Sequence, residues 1–243
     1  ATVDLLSQGR SVLGVGAGHT PREWTARGIP FPAARARVAR MIELVDATYA
    51  LLSSAQAVSY AGDYVTLADA ALSDPRPVQG QVPLLVGGNG DRVLRFAAAR
   101  ADIVGITGLS RTLADGHRHE VEWSAPAVER LVDVIGSTAA KAGRDPQLEA
   151  LVQHVEVTDD ASAAAARLVA HIPGASEAQL LSAPFVWIGT VDDIRGQLRR
   201  HEDELGLRRY VVRPPAIPHV RAILGDPLAR PLGERDDEPR QSG

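Results

Sequence analysis

The chain has 243 residues, 45 % of them hydrophobic and 23 % charged, which is the composition of a folded globule and excludes a disordered, collagenous or membrane-spanning chain. Its 26 basic and 30 acidic residues leave a net charge of −4, so no global field is available to grip nucleic acid or an anionic membrane. Cysteine is absent, which excludes disulfides, thiolate metal sites and cysteine nucleophiles and makes a reducing cytoplasm the expected compartment.

Residues 1–10 read as the last turns of a helix, with Leu5 and Leu6 on one face and Gly9 as its stop signal. They start without methionine and lack the basic start and apolar run of a secretory signal, so an N-terminal truncation is expected. A strand is predicted over 11–16. A helix follows over 33–52, where Val38, Met41, Ile42, Val45, Tyr49 and Leu52 recur at three- and four-residue spacing. Residues 83–86 form the next strand and lead through Gly87 and Gly88 into a helix over 91–100. Another buried strand is expected at 102–106. The apolar stripe Val128, Leu131, Val132, Ile135 and Ala139 marks a helix over 125–142, which Gly143 and Pro146 end. Residues 151–157 read as one strand, and Asp160 caps an alanine-rich helix reaching His171. The uncharged run 178–191 is too short to span a bilayer and reads as a buried strand or loop. Thr190 caps the next helix, with Asp192 and Asp193 where the dipole favours them. A last strand is predicted at 209–213 and a short helix at 219–224. One domain, 1–224, is therefore expected, followed by a mobile charged and proline-rich tail, 225–243.

Strands alternating with helices imply an α/β fold with a parallel sheet and helical crossovers. About five strands satisfy an open, doubly wound sheet, whereas a (β/α)8 barrel needs eight.

Two glycine stretches follow predicted strands. Starting from Gly14, a dinucleotide G-x-G-x-x-G pattern would place its third glycine at His19, and starting from Gly88 it would place it at Val93, so the pattern fails at both. The loop Gly87, Gly88, Asn89 and Gly90 still suits an anion, because glycines let backbone N–H groups approach a phosphate and the following helix starts with free amides. Arg92, poorly placed for the helix dipole, would be rationalised by such a phosphate. The alternative is a tight strand-to-helix turn. His19 could donate a proton to a substrate above the strands or be a loop histidine against Trp24 or Glu23. His117 and His119, beside Glu120 and Glu122, have an H-x-H spacing, but the polar, aperiodic segment reads as a solvated loop and no metal is expected. His154 shares a strand face with Glu156, and His171, His201 and His219 read as surface positions. Lys141 is the sole lysine and no phosphate-loop glycine precedes it, which disfavours Schiff-base and P-loop chemistry. No Gly-x-Ser-x-Gly motif occurs.

The order and wording of LLSQGRSVLGVGAGH, REWTARGIPF, YAGDYVTL, PRPVQGQVPLLVGGNGDRVLRFAAARADIVGI and FVWIGTVDDIRGQL resemble the luciferase-like monooxygenase superfamily, and within it the branch dependent on the deazaflavin coenzyme F420. The resemblance implies a (β/α)8 TIM barrel whose first three βα units lie upstream of Ala1, replacing the open sheet suggested by the strand count. It implies that Gly87, Gly88, Asn89 and Gly90 bind the cofactor phosphate and that Gly16, Ala17 and Gly18 let the ring lie against the backbone. His19 matches a position where some deazaflavin-dependent relatives carry a proton-donating glutamate. The implied reaction is hydride transfer between F420 and a small organic substrate. The alternatives are an FMN-dependent monooxygenase and a truncated, non-catalytic barrel fragment. A small molecule is the expected partner, with no nucleic acid and no membrane, and a homodimer is compatible with this reading.

Overall fold

The computed structural model describes residues 1–113 and 119–225. In chain order the elements are α1 (Thr2–Leu6), β1 (Leu13–Val15), α2 (Pro21–Thr25), α3 (Ala34–Ser53), β2 (Val58–Ala61), β3 (Thr66–Ala70), β4 (Leu84–Gly87), α4 (Asp91–Arg100), β5 (Ile103–Ile106), β6 (Leu109–Thr112) and β7 (His119–Val121). They continue with α5 (Ala125–Lys141), β8 (Gln147–Leu151), β9 (His154–Val157), α6 (Ala161–Val169), α7 (Glu177–Ser182), β10 (Val186–Gly189), α8 (Val191–Leu205), β11 (Leu207–Val211) and α9 (Ile217–Leu224). Among the described residues no helix is long and apolar enough to cross a membrane. Apart from Gly225, the expected tail lies outside the described residues.

Five strands form a parallel sheet in the order β1-β4-β5-β8-β11. Four of them fall on the strands predicted at 11–16, 83–86, 102–106 and 209–213, and β1, β4 and β5 are short apolar runs as a sheet covered by helices requires; the fifth, β8, meets the strand predicted at 151–157 only at Leu151. Val86, Val104, Ile106 and Ala150 are buried against Leu94, Ala97 and Ala98 of α4 and Leu131 and Ile135 of α5, forming the main core. The α3 stripe docks through buried Met41 and Val45, and the Tyr49 hydroxyl donates to the Val82 carbonyl at 2.6 Å.

Helix starts follow the local chemistry. Asp160 accepts from the Ala163 N–H at 2.9 Å, and Thr190 with Asp193 forms a reciprocal capping box at the start of α8. A second box, Ser176 with Gln179, starts α7, so the run 178–191 is half helix and half buried strand β10.

The single strand expected over 151–157 is two strands, because the chain changes partner within it. The Val152 N–H bonds to Val211 O beside β11, whereas the next N–H, of Gln153, bonds to Phe185 O at the entry to β10. From there β9 pairs with β10 in parallel, over a smaller core of Val152, Val155, Trp187, Ile194 and Ile223. Two antiparallel hairpins, β2-β3 and β6-β7, were not foreseen. The first is gripped from α3: the Glu43 carboxylate accepts from the N–H groups of Asp63, Tyr64 and Val65.

His201 departs from its expected surface position. It is 5 % exposed, and its Nε2 lies 2.9 Å from Ser182 O. The sequence around it is densely charged, which hides the fact that it sits one turn after Gln197 on the buried face of α8.

Candidate functional site

A cavity of about 1170 Å³ opens at the carboxyl ends of the parallel strands, the end at which ligands bind in both open and barrel-type parallel sheets. Gly16, Ala17, Gly18, His19, Gly87, Gly88, Asn89 and Gly90 all line it. The two glycine stretches meet because Val15 pairs with Val86, which sets Gly16 opposite Gly87; a side chain at Gly16 would lie 3.7 Å from Gly87 O.

The individual residues differ in what they are free to do. A Cβ at Gly87 or Gly90 would meet nothing within 4 Å, so both present bare backbone to the cavity. Gly90 is the N-cap of α4 and supplies no side chain to its first-turn amides. At Gly88 a Cβ would lie 2.8 Å from Val93 Cγ1, so helix packing alone accounts for that glycine. Gly18 is likewise held by local structure, with φ +71° and the Trp24 indole 3.3 Å from where its Cβ would sit.

The Asn89 side chain is occupied. Its Nδ2 donates to Thr107 Oγ1 at 2.7 Å and to Leu109 O at 2.8 Å, and its Oδ1 accepts from the N–H groups of Thr107 and Gly108. These four bonds fasten the loop after β4 to the loop after β5. Arg92 also has a local explanation, since its Nη1 donates to Arg35 O at 3.3 Å.

His19 follows β1 and is exposed at the mouth. Its ring meets the ring of His119, on β7, edge to face with centroids 5.0 Å apart. His117 lies outside the described residues; among those described, no group of three or more His, Cys, Asp or Glu side chains could hold a metal.

Sequence reasoning did not select several other lining residues. Arg37 packs its guanidinium over Phe31 at 4.3 Å, and burial pushes its pKa down; Arg130 bridges Asp91 at 2.9 Å and Glu122 at 3.5 Å. On the opposite side, Glu149 pairs with Arg209 at 3.3 Å, and Arg213 donates to Gln153 Oε1 at 3.2 Å. Glu149, Leu151 and Gln153 alternate along β8 and its extension and all line the cavity. That period of two was legible in principle, but with the strand begun at residue 151 Glu149 fell outside it.

The arrangement is a large, partly apolar cleft with bare backbone on one wall, a titratable imidazole at the rim and paired charges on the far wall. Such a cleft can accept a flat ring carrying an anionic tail, together with a small substrate. In comparisons with known proteins, the sequence pattern of the luciferase-like monooxygenase family matches residues 1–228. An F420-dependent glucose-6-phosphate dehydrogenase of Kineococcus radiotolerans is 33 % identical over 149 residues, which cover 61 % of this chain and 42 % of that protein. The match thus spans less than half of the relative's length. Among solved structures, an F420-dependent secondary alcohol dehydrogenase in complex with an F420-acetone adduct superposes with a TM-score of 0.67 at 20 % identity, over 87 % of this chain and 66 % of that one. A riboflavin lyase with modified FMN and riboflavin gives 0.67 at 14 % identity, over 92 % and 64 % respectively. At these identities the two structures speak for a shared fold alone.

Proposed function

The chain belongs to the luciferase-like monooxygenase family, and from that premise we propose that the protein is an oxidoreductase passing a hydride between coenzyme F420 and a small organic substrate. The observation that carries the reading is the bare-backbone wall. Gly16 and Gly87 lie side by side, and Gly87 and Gly90 leave open space where side chains would stand. The similarity to an F420-dependent dehydrogenase supports the choice of deazaflavin.

The residues present fit such a group. The N–H groups of Asn89 and Gly90 and the uncapped first turn of α4 would hold the phosphate, where the helix dipole favours negative charge, while Gly87 and Gly88 shape the loop and the Gly88 N–H donates to Gly105 O at 3.0 Å. Gly16 and Ala17 would border the ring. When bound, the deazaflavin supplies a carbon that carries the hydride. The protein's part is to hold substrate against the ring, exclude bulk water and move a proton. His19 is the proposed proton donor, through its imidazole at the rim. Asn89 acts through its staple to 107–109 and the backbone around it.

We also read the five-stranded sheet as part of an eight-stranded barrel whose other strands would pair with β1 and β11, its outer strands here. Sequence coding for three further βα units ahead of Ala1 would support that reading, and its absence from the gene would remove it.

The decisive experiment is titration of the full-length protein with F420 and, separately, with FMN, followed by ring fluorescence. Binding of F420, and bleaching of its visible absorbance on adding glucose 6-phosphate or a secondary alcohol as trial hydride donors, would support the proposal. Tight binding of FMN alone would replace it with a flavin-dependent monooxygenase.

A further inference from the structure

The geometry points to His119 as a positioning residue that fixes the imidazole of His19 at the mouth of the cavity. The inference rests on the proposed proton-donor role of His19. Strand β1 leads to His19, whereas His119 is carried by β6-β7, a separate two-stranded sheet that follows β5 in the chain; in the parallel sheet β4 separates β1 from β5. The two rings nevertheless touch, 5.0 Å between centroids at an interplanar angle of 63°, within the range of favourable edge-to-face pairs. Both line the same cavity.

The hairpin is itself anchored. Its base follows the Thr107–Leu109 turn that Asn89 staples to the glycine loop, Glu122 N–H donates to Gly108 O at 2.8 Å, and the Trp123 indole N–H donates to Thr107 O at 3.1 Å. The base of the hairpin is thus anchored on both sides, and β7 sets the ring of His119 against an exposed loop histidine. Exposed side chains ordinarily exchange among rotamers in picoseconds to nanoseconds. A histidine free among three χ1 wells and two ring orientations would spend about a sixth of its time in any one geometry. The contact with His119 removes that loss.

The test combines side-chain NMR of the cofactor-free protein with turnover of F420, comparing the parent, His119→Ala, His119→Phe, His19→Ala and His19→Ala/His119→Ala. Three-bond couplings are expected to show one His19 χ1 rotamer in the parent, averaging in His119→Ala, and recovery in His119→Phe, which keeps an aromatic edge. Turnover is expected to follow: kcat about three- to sixfold lower in His119→Ala with KM little changed, restored in His119→Phe, and no lower in the double variant than in His19→Ala. A His19 rotamer as well fixed in His119→Ala as in the parent overturns the inference whatever the turnover. Full-rate His119→Ala beside a slow His19→Ala overturns it while keeping His19 as the donor. Full-rate His19→Ala instead removes the donor role, and with it any catalytic meaning of the contact, even if the couplings show that His119 orders the ring.

Discussion

A side chain added at Gly87 would enter open space, whereas one added at Gly88 would press on Val93 Cγ1 at 2.8 Å. The two neighbours therefore separate cofactor binding from packing. Gly87→Val is expected to weaken F420 binding at least tenfold while shifting Tm by no more than about 3 °C, since a β-branched residue suits a strand end. Gly88→Ala is expected to cost about 1 to 3 kcal/mol of stability through overpacking. Fluorescence titration beside thermal melts checks both, and unchanged affinity in folded Gly87→Val would take the loop out of the site. For His19, loss of general-acid catalysis predicts a 10²- to 10⁴-fold fall in kcat for His19→Ala, with cofactor affinity little altered. His19→Gln should recover little, because an amide hydrogen-bonds but cannot titrate. Near-parental rates in both variants would assign the proton to solvent or another residue.

At the level of elements, the site is held together by side chains that cross between loops. Asn89 is the clearest case, with both ends of its amide spent on the 107–109 turn. Asn89→Ala removes four hydrogen bonds, each worth about 1 kcal/mol net. A loss of about 2 to 4 kcal/mol is expected, read as a lower urea midpoint, and cofactor affinity should fall as the glycine loop separates from the β6-β7 hairpin. A variant as stable as the parent would show that the staple is redundant. Asp102 performs a similar task at the other end of the sheet, where its carboxylate accepts from the Leu84 N–H at 2.9 Å and pairs with Arg144 at 3.1 Å. Fastening at that end keeps the strands in register without touching the cavity.

For the molecule as a whole, two buried titratable groups set the dependence of stability on pH. Asp4 is 1 % exposed; hydrogen bonds from the Gln79 backbone and side chain, with others from Ser11 and the Val78 N–H, hold its pKa at about 2. A depressed carboxylate contributes stability that is present above its ordinary value of 3.8 and is lost as pH falls toward 2. Burial pushes His201 down, partly countered by its bond to the Ser182 carbonyl. The unfolded chain then binds the extra proton first, so this contribution is complete above about pH 6.5 and declines as pH falls below it. Tm is expected to decline in two stages on acidification, the first absent in His201→Gln and the second in Asp4→Asn. A single stage unaffected by either variant would show that other groups control acid unfolding.

The sequence by itself determined the local events. The spacing of Val38, Met41, Ile42 and Val45 fixed the buried face of α3, the Thr190 and Asp193 pair fixed the start of α8, and the alternation of short apolar runs with helices fixed a parallel sheet, because these depend on neighbours within a few residues. The glycine loops and His19 were legible as candidates for the same reason: their residue types follow strand ends. Only the tertiary structure decided which candidates share a cavity, that Asn89 is spent on a staple, that His201 is buried, and that His119 reaches His19. It also divided the run 151–157, since the backbone partner of Val152 is Val211 and that of Gln153 is Phe185. Partners this distant in the chain leave no periodic trace, because the energy that selects them arises only when separate strands and loops are brought to the same end of the sheet.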